Sequence, residues 1–144
     1  MKIEVYNIPG KVVGHHHPEI NAMVDTWESM IISLEEWKAN IYDIGICDYA
    51  PKHKVDTWII DTSNGHGVFK PAIQEFRENV ARPKLVENGV KFFFVVSSQS
   101  AVSKLSSRKT SKIYSGDKHM KSFYVDSIDE AKEIRATELA KGTV

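Results

Sequence analysis

The stretch "WIIDTSNGHG", residues Trp58 to Gly67, decides our prediction of the fold. It begins with residues that are apolar on both faces of a strand, as in a central strand of a parallel sheet. It ends in small polar residues and two glycines, which are typical of the turn after a strand. Pro71 follows, a residue suited to the first turn of a helix. The stretch therefore predicts a buried strand, a polar loop and a helix, in that order.

Length, charge, cysteine content and apolar runs limit the kinds of protein that this chain can be. The chain has 144 residues, which suits a single domain spanning 1–144. Nineteen basic residues balance nineteen acidic ones, so the chain as a whole does not attract nucleic acid or an anionic membrane. Cys47 is the only cysteine, which excludes an internal disulfide and favours a reducing compartment. No apolar run nears the ~20 residues that a bilayer requires. We therefore expect a cytoplasmic protein with neither nucleic acid nor membrane as a partner.

Four further segments predict strands. "IEVYNI" and "KVVGHH" flank a Pro-Gly turn and predict an N-terminal β-hairpin. "VKFFFVVSS" is the most apolar segment and predicts a second central strand, and "KSFYVD" predicts the last strand. Strands that alternate with helices are typical of an α/β domain. The predicted fold is an N-terminal β-hairpin joined to a mostly parallel four- to five-stranded sheet, with helices packed on it.

The region between the hairpin and the central strand predicts helix and then loop. Apolar residues recur every three or four positions over residues 20–41, which is helical spacing. Ser33 and Glu36 have the spacing of a capping box, so a second helix is expected to begin near Ser33. Residues 42–55 show no clear period and are interpreted mostly as loop.

Three more helices are predicted further along the chain. The helix after Pro71 is interrupted at Pro83 and ends at Asn88, before a glycine. Ser100 is a candidate cap for a serine-rich helix. Ser127 lies three residues before a glutamate and is a candidate cap for the final helix.

This order of elements resembles the STAS family (sulphate transporter and anti-sigma-factor antagonist), and more closely its SpoIIAA-like branch. Four segments carry the likeness, which covers the chain from about Lys11 onward: "WIIDTSNGHG", "PKLVENGVKFFFVVSS", the serine-rich helix after it, and "FYVDSIDEAKEI". The resemblance implies a small four- or five-stranded sheet with helices on one side, no intrinsic catalysis, no cofactor and a partner protein of the kinase or anti-sigma kind. A homodimer is a second partner that it allows.

The resemblance also implies a phosphorylation switch at the start of the helix after the central strand. The matching place in this chain falls near Phe69 and Lys70, neither of which can be phosphorylated. Thr62 and Ser63 lie earlier in the loop. Ser63 is the first candidate phosphoacceptor and Thr62 the second.

The polar loop is the predicted site. In α/β sheets ligands gather at the carboxyl ends of strands, and the following helix offers free N–H groups. A purely structural role, with Asp61 and Ser63 capping the turn, is the competing interpretation. The residues predicted to bind a partner or ligand are Asp61, Ser63, Asn64 and His66, with Ser97 and Ser98 at the end of the neighbouring strand.

Two other patterns contain residue types that occur in catalytic triads and in zinc sites. Asp61, Ser63 and His66 share one short loop, whereas a working triad holds its base on separate structure. The "HHHPE" run places His15 and His17 on one face of a strand, which is too few ligands for zinc. We therefore predict no catalytic residue and no metal.

The basic stripe of the serine-rich segment is the last pattern. Lys104, Arg108 and Lys112 recur at helical spacing and could meet phosphate or an acidic partner, although a solvated helix face explains them as well. The main hypothesis is a non-enzymatic STAS-like regulatory module that binds a partner protein through the loop after the central strand. One alternative is a carrier of a small apolar or anionic ligand, with a cavity under the helix that carries Met23 and Trp27. The other is a metal-dependent hydrolase that uses the histidines.

Overall fold

A six-stranded mixed sheet forms the centre of the molecule. The computed structural model describes residues 2–96 and 120–142. The strands lie in the sheet in chain order, with β1, β2 and β3 antiparallel and β3 to β6 parallel. Their bounds are β1 Ile3–Ile8, β2 Val12–His17, β3 Ala22–Trp27, β4 Thr57–Asp61, β5 Phe92–Val96 and β6 Lys121–Val125. The α/β class and the N-terminal hairpin are confirmed. The predicted count of four or five strands is wrong, because residues 22–27 add a sixth strand where a helix was expected.

In the described part of the chain, three helices cover the sheet on both faces, whereas the STAS resemblance implied helices on one side. Helix α1 runs over residues 34–53, α2 over residues 71–87 and α3 over Ile128–Ala140. The first two pack on one face of the sheet, where Trp58 and Phe93 belong to the larger apolar core. The third packs on the opposite face, where Ala131 lies against a smaller core that contains Ile59 and Phe94. Among the described residues no helix has the length and apolar character to cross a bilayer.

The predicted helix over residues 20–41 is wrong in its first half. Residues Ala22–Trp27 form strand β3, reached through a single turn of 3₁₀ helix and the left-handed residue Asn21 (φ 48°). Every residue from Ala22 to Asp25 is buried. A strand that is covered on both faces shows a continuous apolar run, and such a run cannot be distinguished from a buried helix by its period. The predicted start of a helix at Ser33 is confirmed, because its Oγ accepts a hydrogen bond from Glu36 N at 3.1 Å.

The interpretation of residues 42–55 as loop is also wrong. These residues continue α1 to His53, largely as a π-helix over Lys38–Tyr49. Gly45 and Pro51 weaken the helical pattern of the sequence, but Ile46 and Ala50 are buried against the sheet. Tertiary packing therefore overrides the weak local preference.

Pro83 lies inside α2 without ending it, and the helix stops at Asn88 as predicted, with that residue as its C-cap. A π-helical turn over Arg77–Ala81 comes just before Pro83, and Arg82 N–H donates to the carbonyl of Arg77, five residues earlier. Proline lacks the N–H that an α-helix needs at this position. A wide turn just before the proline takes up that break in the hydrogen-bonding pattern.

Of the remaining predictions, one is confirmed and the others concern residues that the structure does not describe. Ser127 caps α3, with its Oγ 3.1 Å from Glu130 N. The helix expected after Ser100, its basic stripe, and the predicted site residues Ser97 and Ser98 all lie outside the described residues.

Candidate functional site at the carboxyl edge of the sheet

The polar loop after β4 begins with a tight turn around Asp61. The Oδ1 atom of this residue accepts hydrogen bonds from Ser63 N at 3.0 Å and from Ser63 Oγ at 2.6 Å. Thr62 is held to the end of β5, because its N–H and its hydroxyl both donate to the Val96 carbonyl, at 3.0 and 2.8 Å. The capping role that the sequence suggested for Asp61 is therefore present.

The far side of the loop is fixed to the segment that follows β3. His66 N donates to the Glu28 carbonyl at 3.1 Å, and the His66 carbonyl accepts from Met30 N at 2.8 Å, as in a parallel sheet. Gly67 has a φ of +77°, and a Cβ at this position would come within 2.7 Å of Ile31 Cγ1. The loop is thus held by backbone bonds on both sides rather than free to move on its own.

Two apolar side chains are exposed on this fixed framework. Val68 is 79% exposed and Ile31 is 62% exposed, whereas the other exposed large apolar residues of the described chain reach at most 44%. The side chains of Asn64 and His66 are exposed on the same loop as Val68, and Ser63 is half-buried. We call this group the carboxyl-edge surface: Ile31, Ser63, Asn64, His66 and Val68.

The loop does not have the geometry of a catalytic triad. The Ser63 hydroxyl donates to Asp61 and not to a histidine. The hydroxyl therefore lacks the base that would activate it as a nucleophile. Helix α2 begins at Pro71 with Lys70 as its N-cap. Ser63 therefore lies well before the start of the helix, which is where the phosphoacceptor of the resembled family would lie.

The histidine run divides between the two faces of the sheet, as the alternation predicted. His16 is buried, with Nδ1 2.8 Å from the Tyr49 hydroxyl. The half-buried His15 and His17 lie on the other face, and burial lowers the pKa of both imidazoles. Among residues 2–96 and 120–142, no three histidine, cysteine or acidic side chains converge to hold a metal ion.

A buried carboxyl group is the feature that the sequence reasoning missed. Asp25 on β3 is 1% exposed, and its carboxylate accepts hydrogen bonds from the Tyr6 hydroxyl and, at 3.0 Å, from Trp58 Nε1. Burial raises the pKa of this carboxyl to about 7, against the opposing effect of the Trp58 hydrogen bond. The only sequence signal was an acidic residue inside the apolar run "AMVDTW", and it became readable only once that run was known to be a strand.

A small cavity lies beside Asp25, between the sheet and helices α1 and α2. Its volume is about 10 Å³, which is room for a single water molecule. Trp27, Phe69 and Arg77 also line it. The carrier hypothesis placed its cavity under a helix that carries Met23 and Trp27, but these residues lie on strand β3. The cavity of about 10 Å³ beside Trp27 is far smaller than a small-molecule site.

No protein-family model, curated protein or solved structure matches this chain.

Proposed function

We propose that the chain is a non-enzymatic, STAS-like interaction module that binds a partner protein through its carboxyl-edge surface. The observation that supports this most is the exposure of Ile31 and Val68 on a loop fixed by backbone hydrogen bonds. Burying one such side chain releases roughly 1.5–3 kcal/mol. A framework that is already ordered loses little entropy when a partner binds, so more of that free energy is available as affinity.

The composition of the surface also suits protein recognition. Apolar side chains lie at its two sides, and Asn64 and His66 supply exposed polar groups next to them. Such a mixture of exposed apolar and polar groups is typical of transient protein interfaces. From the STAS likeness we propose a kinase- or anti-sigma-like protein as the partner, with a second copy of the chain as the other candidate. Ser63 remains the proposed acceptor if this partner is a kinase.

The carrier and hydrolase alternatives have less support. A cavity of about 10 Å³ does not hold an organic ligand without rearrangement of the core. The histidines of the described chain do not converge with other ligands on one point in space.

Site-specific photocrosslinking tests the proposal. A photoreactive residue at position 68 should form a discrete crosslinked product in the cells that express the protein. The same residue at position 80, a 39%-exposed valine on α2, is the matched control and should not form it. Val68→Asp should abolish capture of the crosslinked partner and Val80→Asp should retain it, with both variants folded by circular dichroism. His66→Ala and Asp61→Ala, each made in the wild-type protein, should weaken capture of the same partner.

Equal capture by the two aspartate variants would place the interface elsewhere on the molecule. Mass spectrometry of the protein purified from the same cells decides the Ser63 question. A covalent phosphate that maps to Ser63 supports the switch, and a phosphate that maps only to another residue contradicts it.

A further inference from the structure

Two side chains that line the cavity beside Asp25 carry buried hydrogen-bond donors that have no partner among the described residues. Trp27 is 2% exposed, yet its buried Nε1 has no hydrogen-bond partner among residues 2–96 and 120–142. The buried Nε of Arg77 likewise has none within those residues. Leaving a buried donor unsatisfied costs about 1–3 kcal/mol, so two such groups at one cavity require an explanation.

A water molecule fits both the size and the chemistry of this cavity. A buried water needs about 10–15 Å³ and typically makes three hydrogen bonds. It could accept from Trp27 Nε1–H and from Arg77 Nε–H and donate to the carboxyl group of Asp25, which lines the same cavity. These three partners would satisfy both donors at once.

The same side chains lead from the cavity to the carboxyl-edge surface. Phe69 lines the cavity and packs edge-to-face on Trp27, with ring centroids 4.7 Å apart. The guanidinium carbon of Arg77 lies 5.3 Å from the centroid of the same ring. Phe69 directly follows Val68, the most exposed apolar residue of the surface. Both groups that would hold the water therefore also hold the residue next to Val68.

We propose that this cavity binds one ordered water molecule that bridges Asp25 to Trp27 and Arg77, and that Phe69 couples the ionisation of Asp25 to the carboxyl-edge surface. The water site stands on its own, whereas the value of the coupling for partner binding rests on the proposed function. Arg77 would be drawn towards the carboxylate when Asp25 loses its proton, because opposite charges attract strongly at a buried site. Its guanidinium would then shift over Phe69 and move the backbone next to Val68.

Among the described residues, few other groups facing Asp25 can titrate. On β1 there is Tyr6, whose phenol ordinarily ionises far above neutrality. On β2, Gly14 is the register neighbour of Asp25. On β4, Trp58 donates a hydrogen bond to the Asp25 carboxyl group. Helix α1 contributes only Trp37, Ile41 and Ile46 to the cavity, and α2 contributes Arg77 and Leu85. A titration at this cavity near neutral pH therefore reports on Asp25.

Nuclear magnetic resonance of the free protein tests the proposal without any partner. The chain has three tryptophans, all of which line the cavity, so each of the three indole N–H signals is a local probe. We expect a cross-peak between the Trp27 indole proton and a bound water. We also expect the indole signals of Trp27 and Trp58 to shift with one common midpoint as the pH is varied from 5 to 9. The backbone amide signal of Ala131, on the opposite face of the sheet, is the internal control and should not shift with that midpoint.

Two variants identify the groups responsible. Asp25→Asn keeps an oxygen that accepts from Trp58 Nε1 and should abolish the common titration. Arg77→Met keeps the length of the side chain but removes the charge, and should raise the midpoint by on the order of 0.5–1 pH unit. A wild-type Trp27 indole without a bound-water cross-peak would overturn the water site. Indole shifts that persist in Asp25→Asn, or a midpoint unchanged in Arg77→Met, would overturn the bridge.

The coupling has its own readout in the same spectra. The amide signals of Val68 and Phe69 should shift with the midpoint of the cavity in the wild type and not in Asp25→Asn. If the indoles titrate and these two amides do not, the coupling is wrong. That outcome leaves the carboxyl-edge surface to be decided by the crosslinking experiment alone, so the two proposals can fail separately.

Discussion

Replacement of Gly14 by alanine should destabilise the protein through one specific clash. A Cβ at position 14 would overlap Tyr6 Cζ and lie 2.6 Å from both Cε atoms of that ring. Non-bonded carbon atoms prefer 3.5–4.0 Å, so the ring must move by more than about 1 Å. It has no free direction, because Tyr6 is 4% exposed and a Cβ on Gly45 of α1 would stand only 2.9 Å from the ring on another side.

The displacement also affects the buried carboxyl group. The Tyr6 hydroxyl donates to Asp25, and movement of the ring breaks that hydrogen bond. Overpacking costs about 1–3 kcal/mol and an unsatisfied buried polar group about 1–3 kcal/mol more. The lower entropy of the unfolded chain with alanine returns about 0.4–1 kcal/mol. We therefore expect the free energy of unfolding to fall by about 3 kcal/mol.

Urea unfolding followed by circular dichroism measures this loss. With a slope of about 2 kcal/mol per molar urea, the midpoint should fall by roughly 1.5 M. Tyr6→Leu supplies the matched background, because leucine ends before the Cε and Cζ atoms that meet the new methyl group. In that background Gly14→Ala should cost less than about 1 kcal/mol. An equal cost of Gly14→Ala in both backgrounds would refute the clash as the cause.

Three further predictions concern charge and capping. The raised pKa of Asp25, about 7, means that the folded protein holds this proton more tightly than the unfolded chain, so its stabilisation is complete at low pH and lost as the pH rises towards 7. Between pH 5 and 8 the unfolding free energy of the wild type should therefore fall by about 3 kcal/mol relative to Asp25→Asn in urea titrations, and parallel curves would contradict this. Arg135 donates from Nη2 to both carboxylate oxygens of Asp56, at 3.1 and 3.0 Å, and from Nε to Thr57 Oγ1 at 2.9 Å. Arg135→Met should therefore cost about 1.5–3 kcal/mol in thermal unfolding, and Arg135→Lys should not restore the loss because lysine lacks the planar fork that reaches both residues. Ser127→Ala should cost about 1 kcal/mol in urea by removing the cap on Glu130 N, and Ser127→Asp should recover most of it.

Patterns with a local physical cause could be read from the sequence. The turn residues of the hairpin, the apolar runs of β4 and β5, and the serine caps at Ser33 and Ser127 each depend on nearby residues, and the structure has them where they were expected. The turn at Asp61 and the alternation of the histidines belong to the same class. The position of the predicted loop at the carboxyl edge followed from the order of the strands.

Tertiary structure decided what lies between those landmarks. Residues 22–27 form a strand because the sheet buries them, and a run that is buried on both faces carries no period that reveals its conformation. Residues 42–53 form a helix because Ile46 and Ala50 pack on the sheet, although Gly45 weakens the local helical preference. Asp25 illustrates the consequence for the site. Its partners Tyr6 and Trp58 lie on β1 and β4, far away in the chain, and only the pairing of four strands brings them together. The raised pKa of its carboxyl arises from removal of water by that packing, a property that no neighbour in the sequence could have indicated.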